Sequence, residues 1–311
     1  MLQGMLIFWF RAVRASLPKV NGGMSVAYDF LPWVKGGMSV VYYFLPKVKG
    51  GMSVVYYFGP FVFKVGGSGY NVEHEATMLK KNVNDDPRRP SSLTHYYAYV
   101  RSMDMLILPY HGPSTLSAFI TPRGHKMPLV TVIDCGYRIL KALVFMHKKN
   151  IIHGDIKPAN VCVKSDGSGA TVIDLGISST NAEGSNKQVD EYTPPEHIMH
   201  DHPSPRDHPS PRVSVDLWAV GVILYRLLEH KFPFGNEILV YKNSISMLRD
   251  YVNIRKPYEM PLQFTCEPEH HSTQYTVELQ KVQAVIRKML AYEASARCKS
   301  ASEVLNEWPH G

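Results

Sequence analysis

His153, Asp155, Lys157 and Asn160 fall within one short loop of a 311-residue chain. An apolar run, Val161-Cys162-Val163, follows it. Next come a turn-forming Ser165-Asp166-Gly167-Ser168-Gly169 and a second apolar run, Thr171-Val172-Ile173. Two short apolar runs around a Ser/Asp/Gly cluster read as a β-hairpin. The hairpin returns the chain on Asp174-Leu175-Gly176, which brings a second acid back beside the first loop. Two acids, a lysine and an amide on one rigid hairpin suit phosphoryl transfer from a metal-bound nucleotide.

Other elements must position this loop. Val130 to Lys149 carries apolar residues at helical spacing and reads as a long buried helix leading into it. Upstream, Ser53–Phe58 and Phe61–Lys64 are rich in Val, Tyr and Phe and read as strands. Side chains alternate along strands, so an antiparallel pair must match in parity. Pairing Val55 with Val62 puts Tyr57 opposite Pro60 and makes Phe58-Gly59 the turn. A helix is expected from about Val72, with Glu73 and Glu75 in its first turns. Asn84–Ser92 (NDDPRRPSS) reads as a loop, and Tyr96–Val100 and Met105–Leu108 as two further strands.

The loop and hairpin resemble the catalytic loop and metal-binding turn of the eukaryotic protein kinases, reading HGD for the usual HRD and DLG for the usual DFG. The other motifs keep the family's order. Val48-Lys49-Gly50-Gly51-Met52-Ser53-Val54-Val55 resembles its glycine-rich loop, with Val48 and Ser53 where two of its glycines usually stand. Phe61-Val62-Phe63-Lys64 resembles the strand carrying the phosphate-binding lysine, and Glu75-Ala76-Thr77-Met78-Leu79 the helix whose glutamate pairs with it; Glu73 is the alternative partner. Pro109-Tyr110-His111-Gly112 resembles the hinge, Tyr192–Glu196 the APE segment, and Asp216–Gly221 the start of a central helix. Arg297 matches the arginine that pairs with the APE glutamate.

The resemblance implies an α+β, bilobal kinase-like fold. Residues 1–44 form an N-terminal extension, 45–110 a β-rich small lobe and 111–311 a helical large lobe. It implies a Ser/Thr protein kinase that uses ATP and Mg²⁺, with Lys157 typical of the Ser/Thr branch. Asp155 orients the substrate hydroxyl. Lys157 and Lys64 stabilise phosphate charge, and Glu75 positions Lys64. Asn160 and Asp174 hold the metal. Gly50, Gly51, Val55, Val62, Leu108, Pro109, His111 and Cys162 join Lys64 around the nucleotide. A pseudokinase scaffold is the rival reading, favoured by the eroded glycine loop and by Val189, which stands where the family usually has a threonine. A small-molecule kinase of similar fold is opposed by the PPE segment and Arg297.

Residues 177 to 191 are polar and read as a mobile activation segment. Gly154 stands where an arginine usually helps bind a phosphate added there. Activity is therefore expected not to depend on phosphorylation of Ser178, Ser179, Thr180 or Ser185.

Composition sets bounds. At 45% hydrophobic, the chain can bury a real core in one or two domains. The formal charge of +7 is scattered along the chain and reads as a solvated surface, not a nucleic-acid face. Cys135, Cys162, Cys266 and Cys298 show no zinc or redox spacing, which suits a reduced, cytoplasmic chain. No apolar run reaches the ~18 residues a membrane span needs. A protein substrate is the expected partner, and oligomeric state is not encoded legibly. Three repeats, Leu17–Phe30, Leu31–Phe44 and Leu45–Phe58, open the chain, and Asp201–Arg206 recurs as Asp207–Arg212. They read as local duplications, with the third long repeat supplying the glycine loop.

Overall fold

The computed structural model describes residues 47–49, 53–67, 72–120, 127–180, 190–199, 213–236, 245–265 and 272–309. The first two long repeats, Gly50, Gly51, Ser185, Val189, the duplicated hexapeptide and Cys266 lie outside the described residues. The chain divides into two compact units, one of residues 1–85 and 94–113, the other of residues 86–93 and 114–311.

The first unit is built on an antiparallel sheet. Its strands are β1 (Lys47–Lys49), β2 (Ser53–Phe58), β3 (Phe61–Gly66), β4 (Ala98–Val100) and β5 (Met105–Pro109), in spatial order β1-β2-β3-β5-β4. The third repeat therefore supplies β1 and β2. The β2–β3 register departs from expectation by two residues: Val55 lies opposite Lys64, Tyr57 opposite Val62 and Phe58 opposite Phe61. The turn is Gly59-Pro60, not Phe58-Gly59, and proline decides it. Inside the ladder Pro60 would remove a donor. In the turn its carbonyl still accepts from the Tyr110 N–H at 2.8 Å. Gly59 takes φ +56°, which the first central position of such a turn tolerates in glycine without strain. The two registers share parity, so the same side chains share a face in both.

Helix α1 (Glu73–Leu79) buries Glu75, Ala76, Met78 and Leu79, the i, i+3, i+4 stripe of an amphipathic helix. It runs into a π-helical segment, Lys80–Asn84. Asn84 then ties the chain to Tyr96, its Nδ2 donating to the Tyr96 carbonyl at 2.7 Å and its Oδ1 accepting from the Tyr96 N–H at 3.1 Å.

The second unit is mainly helical. It comprises α2 (Leu129–His147), α3 (Pro195–Met199), α4 (Val213–Glu229), α5 (Ile245–Arg255), α6 (Thr273–Met289) and α7 (Ala301–Glu307). Helix α4 is buried almost all round, from Ser214 to Tyr225 without a break, and packs on both α2 and α6. Trp308, 1% exposed, locks α7 onto α2 through Nε1–H donating to the Ile133 carbonyl at 2.9 Å. Gly136 makes this approach feasible, since a Cβ there would lie 2.3 Å from the indole.

Two small sheets complete the unit. Strands β6 (Ser114–Thr115), β8 (Val161–Val163) and β9 (Thr171–Val172) form one, and β7 (Ile151–Ile152) pairs with β10 (Ser179–Thr180) in the other. The β8–β9 turn uses Gly167 at φ +83° and Gly169 at φ +72°. The pairing of β10 corrects the expectation of a mobile polar run from 177. Ser178 and Ser179 are buried at 1% and 8% exposure: the Ser178 hydroxyl donates to the His153 carbonyl, and Ser179 is paired with Ile152 in the β7–β10 ladder.

Candidate active site

In the first unit, strand pairing sorts the proposed nucleotide-contacting side chains. Val55 and Lys64 face each other across β2–β3, and Val62 faces Leu108 across β3–β5. Directly paired residues share a sheet face, as do residues two apart on one strand. Val55, Val62, Lys64 and Leu108 therefore stand on one face. Lys64 is the buried member of β3, at 6% exposure. Its Nζ meets Glu75 Oε2 at 2.7 Å, and Glu75 is 1% exposed. The alternative partner, Glu73, bonds Arg101 instead. A buried lysine–glutamate pair rarely adds stability over an apolar pair of like volume, so its presence points to chemistry. Pro109 ends β5 opposite Phe61, and the His111 ring Nε2 lies 2.9 Å from Thr94 Oγ1.

In the second unit the polar loop between β7 and β8 is held from several sides. Lys157 Nζ lies 2.7 Å from Asp155 Oδ2. Asn160 Nδ2 donates to the Asp155 carbonyl at 2.8 Å and to Asp155 Oδ2 at 2.9 Å. With Nδ2 committed twice, the amide oxygen is the Asn160 atom left to meet a cation. Together with the Asp174 carboxylate it makes a hard-oxygen donor set that fits Mg²⁺. Asp174 has φ +67°, in the left-handed region that aspartate tolerates, and its Oδ1 accepts from the Gly176 N–H at 3.2 Å. The Ile173 N–H donates to the Asn160 carbonyl at 3.0 Å, so the two candidate metal ligands are joined through backbone.

Three residues do positioning work that the motif reading did not assign. His153 is fully buried; its Nδ1 accepts from the Asp155 N–H at 3.3 Å, so Nε2 carries the proton and donates to the Ile173 carbonyl at 3.1 Å. Ser178 Oγ donates to the His153 carbonyl at 3.1 Å. Asp216, 1% exposed, accepts the backbone N–H groups of His153 and Gly154, each at 2.9 Å, and lies 2.9 Å from His147 Nε2. Burial pushes the Asp216 carboxyl up, but the bond from His147 and the N–H of Gly154 outweigh it and hold the pKa below the usual range. Gly154 has φ +76°, which turns its N–H onto Asp216 without strain. The sequence marked Asp216 as the start of a central-helix motif but not as the acceptor of the loop N–H groups. Nothing in the sequence pattern marks Ser178.

Cys162 lies in β8 opposite Thr171, and burial pushes its thiol up to about 12, so it acts as packing and not as a nucleophile. Further along, Arg297 makes a bidentate ion pair with Glu196, at 2.7 and 2.9 Å, while its Nε and Nη2 also donate to the Ala291 and Tyr292 carbonyls. Its guanidinium carbon lies 4.5 Å from the centroid of the Trp218 ring.

A family model described as the protein kinase domain matches residues 74–308. The chain belongs to the protein kinase family. Among its relatives, the serine/threonine-protein kinase ULK3 of Xenopus laevis is 32% identical over 169 residues, 53% of this chain and 33% of the relative. An Aurora kinase of Candida glabrata is 38% identical over 115 residues, 35% of this chain and 30% of the relative. The chain thus spans about a third of the length of these two curated relatives. The solved structure of the Cydia pomonella granulovirus kinase PK-1 superimposes with a TM-score of 0.62 at 23% identity, over 87% of this chain and 95% of that one. At that identity the likeness speaks for the fold, which is that of a protein kinase. The family match begins at residue 74, so Lys64 and the β1–β3 ladder lie upstream of it, and their assignment rests on geometry.

Proposed function

We propose that this kinase-family chain transfers the γ-phosphate of Mg²⁺-ATP to serine and threonine hydroxyls of protein substrates. The observation that carries the reading is the setting of Asp155. Its carboxylate is gripped by Asn160 and Lys157, on a loop whose backbone N–H groups bond a buried acid. In this reading Asp155 accepts the hydroxyl proton as the new O–P bond forms and the bond to the β-phosphate oxygen breaks. Lys157 sets a cation where phosphoryl charge develops. Lys64, held by Glu75, serves the α- and β-phosphates. Asn160 and Asp174 would hold Mg²⁺, which neutralises phosphate charge when bound. Val55, Val62 and Leu108 supply the apolar face for adenine. The backbone of Pro109 and His111 and the glycines Gly50 and Gly51 complete the proposed contacts. The boundaries proposed for the domains are 1–44, 45–110 and 111–311.

The test is labelled-phosphate transfer to a generic protein substrate, measured beside Mg²⁺-ATP binding. Label should appear on serine or threonine, and Asp155→Asn should abolish transfer while keeping nucleotide binding. Nucleotide binding by the unaltered chain with no transfer would sink the proposal and leave a non-catalytic scaffold.

A further inference from the structure

Lys64 and Glu75 sit on different elements, and residues 68–71 between those elements lie outside the described chain. Something must fix the distance from strand to helix. Helix α1 is short, and its N-cap Val72 offers no side-chain cap. The same residue, Asp104 in the β4–β5 turn, reaches both elements. Its carbonyl accepts from the Gly66 N–H at 3.0 Å, two residues beyond Lys64 at the end of β3. Its carboxylate accepts from the Val72 N–H, at 3.1 Å to Oδ1 and 3.3 Å to Oδ2, three residues before Glu75. Val72 is fully buried, so this N–H has no water to turn to.

The acceptor is itself held. Tyr99 Oη–H donates to Asp104 Oδ1 at 3.1 Å, and the Asp104 N–H donates to the Arg101 carbonyl at 3.2 Å. Arg101 in turn bonds Glu73 in the first turn of α1. The turn thus grips the helix twice, once through Val72 and once through Glu73. A negative charge at a helix N-terminus also favours the helix dipole. Asp104 adopts φ +42°, a left-handed conformation that aspartate tolerates better than most residues because its short polar side chain bonds locally.

We propose that Asp104 is a positioning residue for the Lys64–Glu75 pair, clamping the strand that carries the lysine to the helix that carries the glutamate. The proposal rests on the kinase reading only in assigning the pair to the phosphates; the clamp itself is a matter of local geometry. In the family motifs this position carries no role, and the residue touches no reacting atom.

The test uses Asp104→Gly and Asp104→Asn in the full chain, each alone and combined with Glu75→Gln. Glycine removes the carboxylate and accepts the left-handed backbone, so the turn itself is spared. Asparagine keeps an acceptor and the conformation. Two readouts are taken: amide hydrogen exchange of residues 73–79 without nucleotide, and kcat/KM for ATP. Asp104→Gly should speed exchange in α1 and lower kcat/KM about tenfold, the scale of one hydrogen bond to a charged group. Asp104→Asn should restore most of both. In the Glu75→Gln background the glycine change should cost little more, because the pair it serves is already broken. Full additivity in the double variant, or unchanged exchange in α1, would overturn the clamp. If Glu75→Gln alone leaves transfer intact, the phosphate role of the pair fails, and the exchange readout still decides the clamp.

Discussion

The two units hold their polar groups in opposite ways. In the first, the Lys64–Glu75 pair spans a strand and a short helix on a sheet whose remaining β3 side chains are half-exposed. The holding bonds come from one turn, through the Asp104 carbonyl and carboxylate and the Arg101 side chain. In the second, Asp155, Asn160 and Asp174 ride on backbone anchored to Asp216, deep in a helix that is apolar nearly all round. The first arrangement depends on a few side-chain bonds between a turn and a short helix, around a buried ion pair that is costly to separate. The second is coupled to the core, because moving the loop strips the buried Asp216 carboxylate of the His153 and Gly154 N–H donors.

The largest effect should come from the second unit. Asp174→Asn keeps the shape of the side chain and removes its charge, so transfer should fall by about a thousandfold or more. The melting temperature should move by only a few degrees, since Asp174 is not the core anchor. Near-normal turnover in that variant would remove Asp174 from the metal assignment, and a collapse of the fold would show that the anchor had been misplaced.

The next test separates anchor from chemistry by pH. The folded-state pKa of Asp216 is lowered, so its stabilising contribution is complete above the unfolded aspartate value of about 4 and is lost as pH falls through the folded value. Asp216→Asn should lower the melting temperature at pH 7, by about 3 kcal/mol in stability. It should also flatten the acid limb of melting temperature against pH relative to the unaltered chain. Equal acid limbs would mean that the carboxylate is not what holds the loop.

The smallest effect concerns the first unit. The β1–β2 hairpin paired to β3 is drawn from the third repeat. Deleting residues 17–44 should therefore leave ATP affinity nearly unchanged in a titration. A large loss would assign part of the nucleotide site to an earlier copy.

Much of the candidate site was legible as local chemistry. His153, Asp155, Lys157, Asn160 and Asp174 lie within a single loop and hairpin, and a short hairpin with Gly167 and Gly169 in its turn has few ways to fold. The strands and the long helix before the loop followed from period 2 and period 3.6, which one face of burial imposes on any chain. The parity argument for β2 and β3 held because alternation is local. The register did not follow, because it turned on where Pro60 could spare a donor, and that depends on Tyr110 arriving from a distant strand to use its carbonyl.

Ser178 and Ser179 looked exposed by composition. They are buried because β7 offers β10 a strand partner and the His153 carbonyl accepts from the Ser178 hydroxyl. Likewise Glu75 over Glu73, and the role of Asp104, needed the fold, since both depend on which elements lie side by side. The sequence by itself determined the residues that can do phosphoryl chemistry and the local segments that carry them, because types and periodicities are properties of neighbouring positions. Only the tertiary structure decided which acids are paired, which are anchors and which segments are ordered, because those are settled by partners far apart in the chain and by the cost of burying a polar group without one.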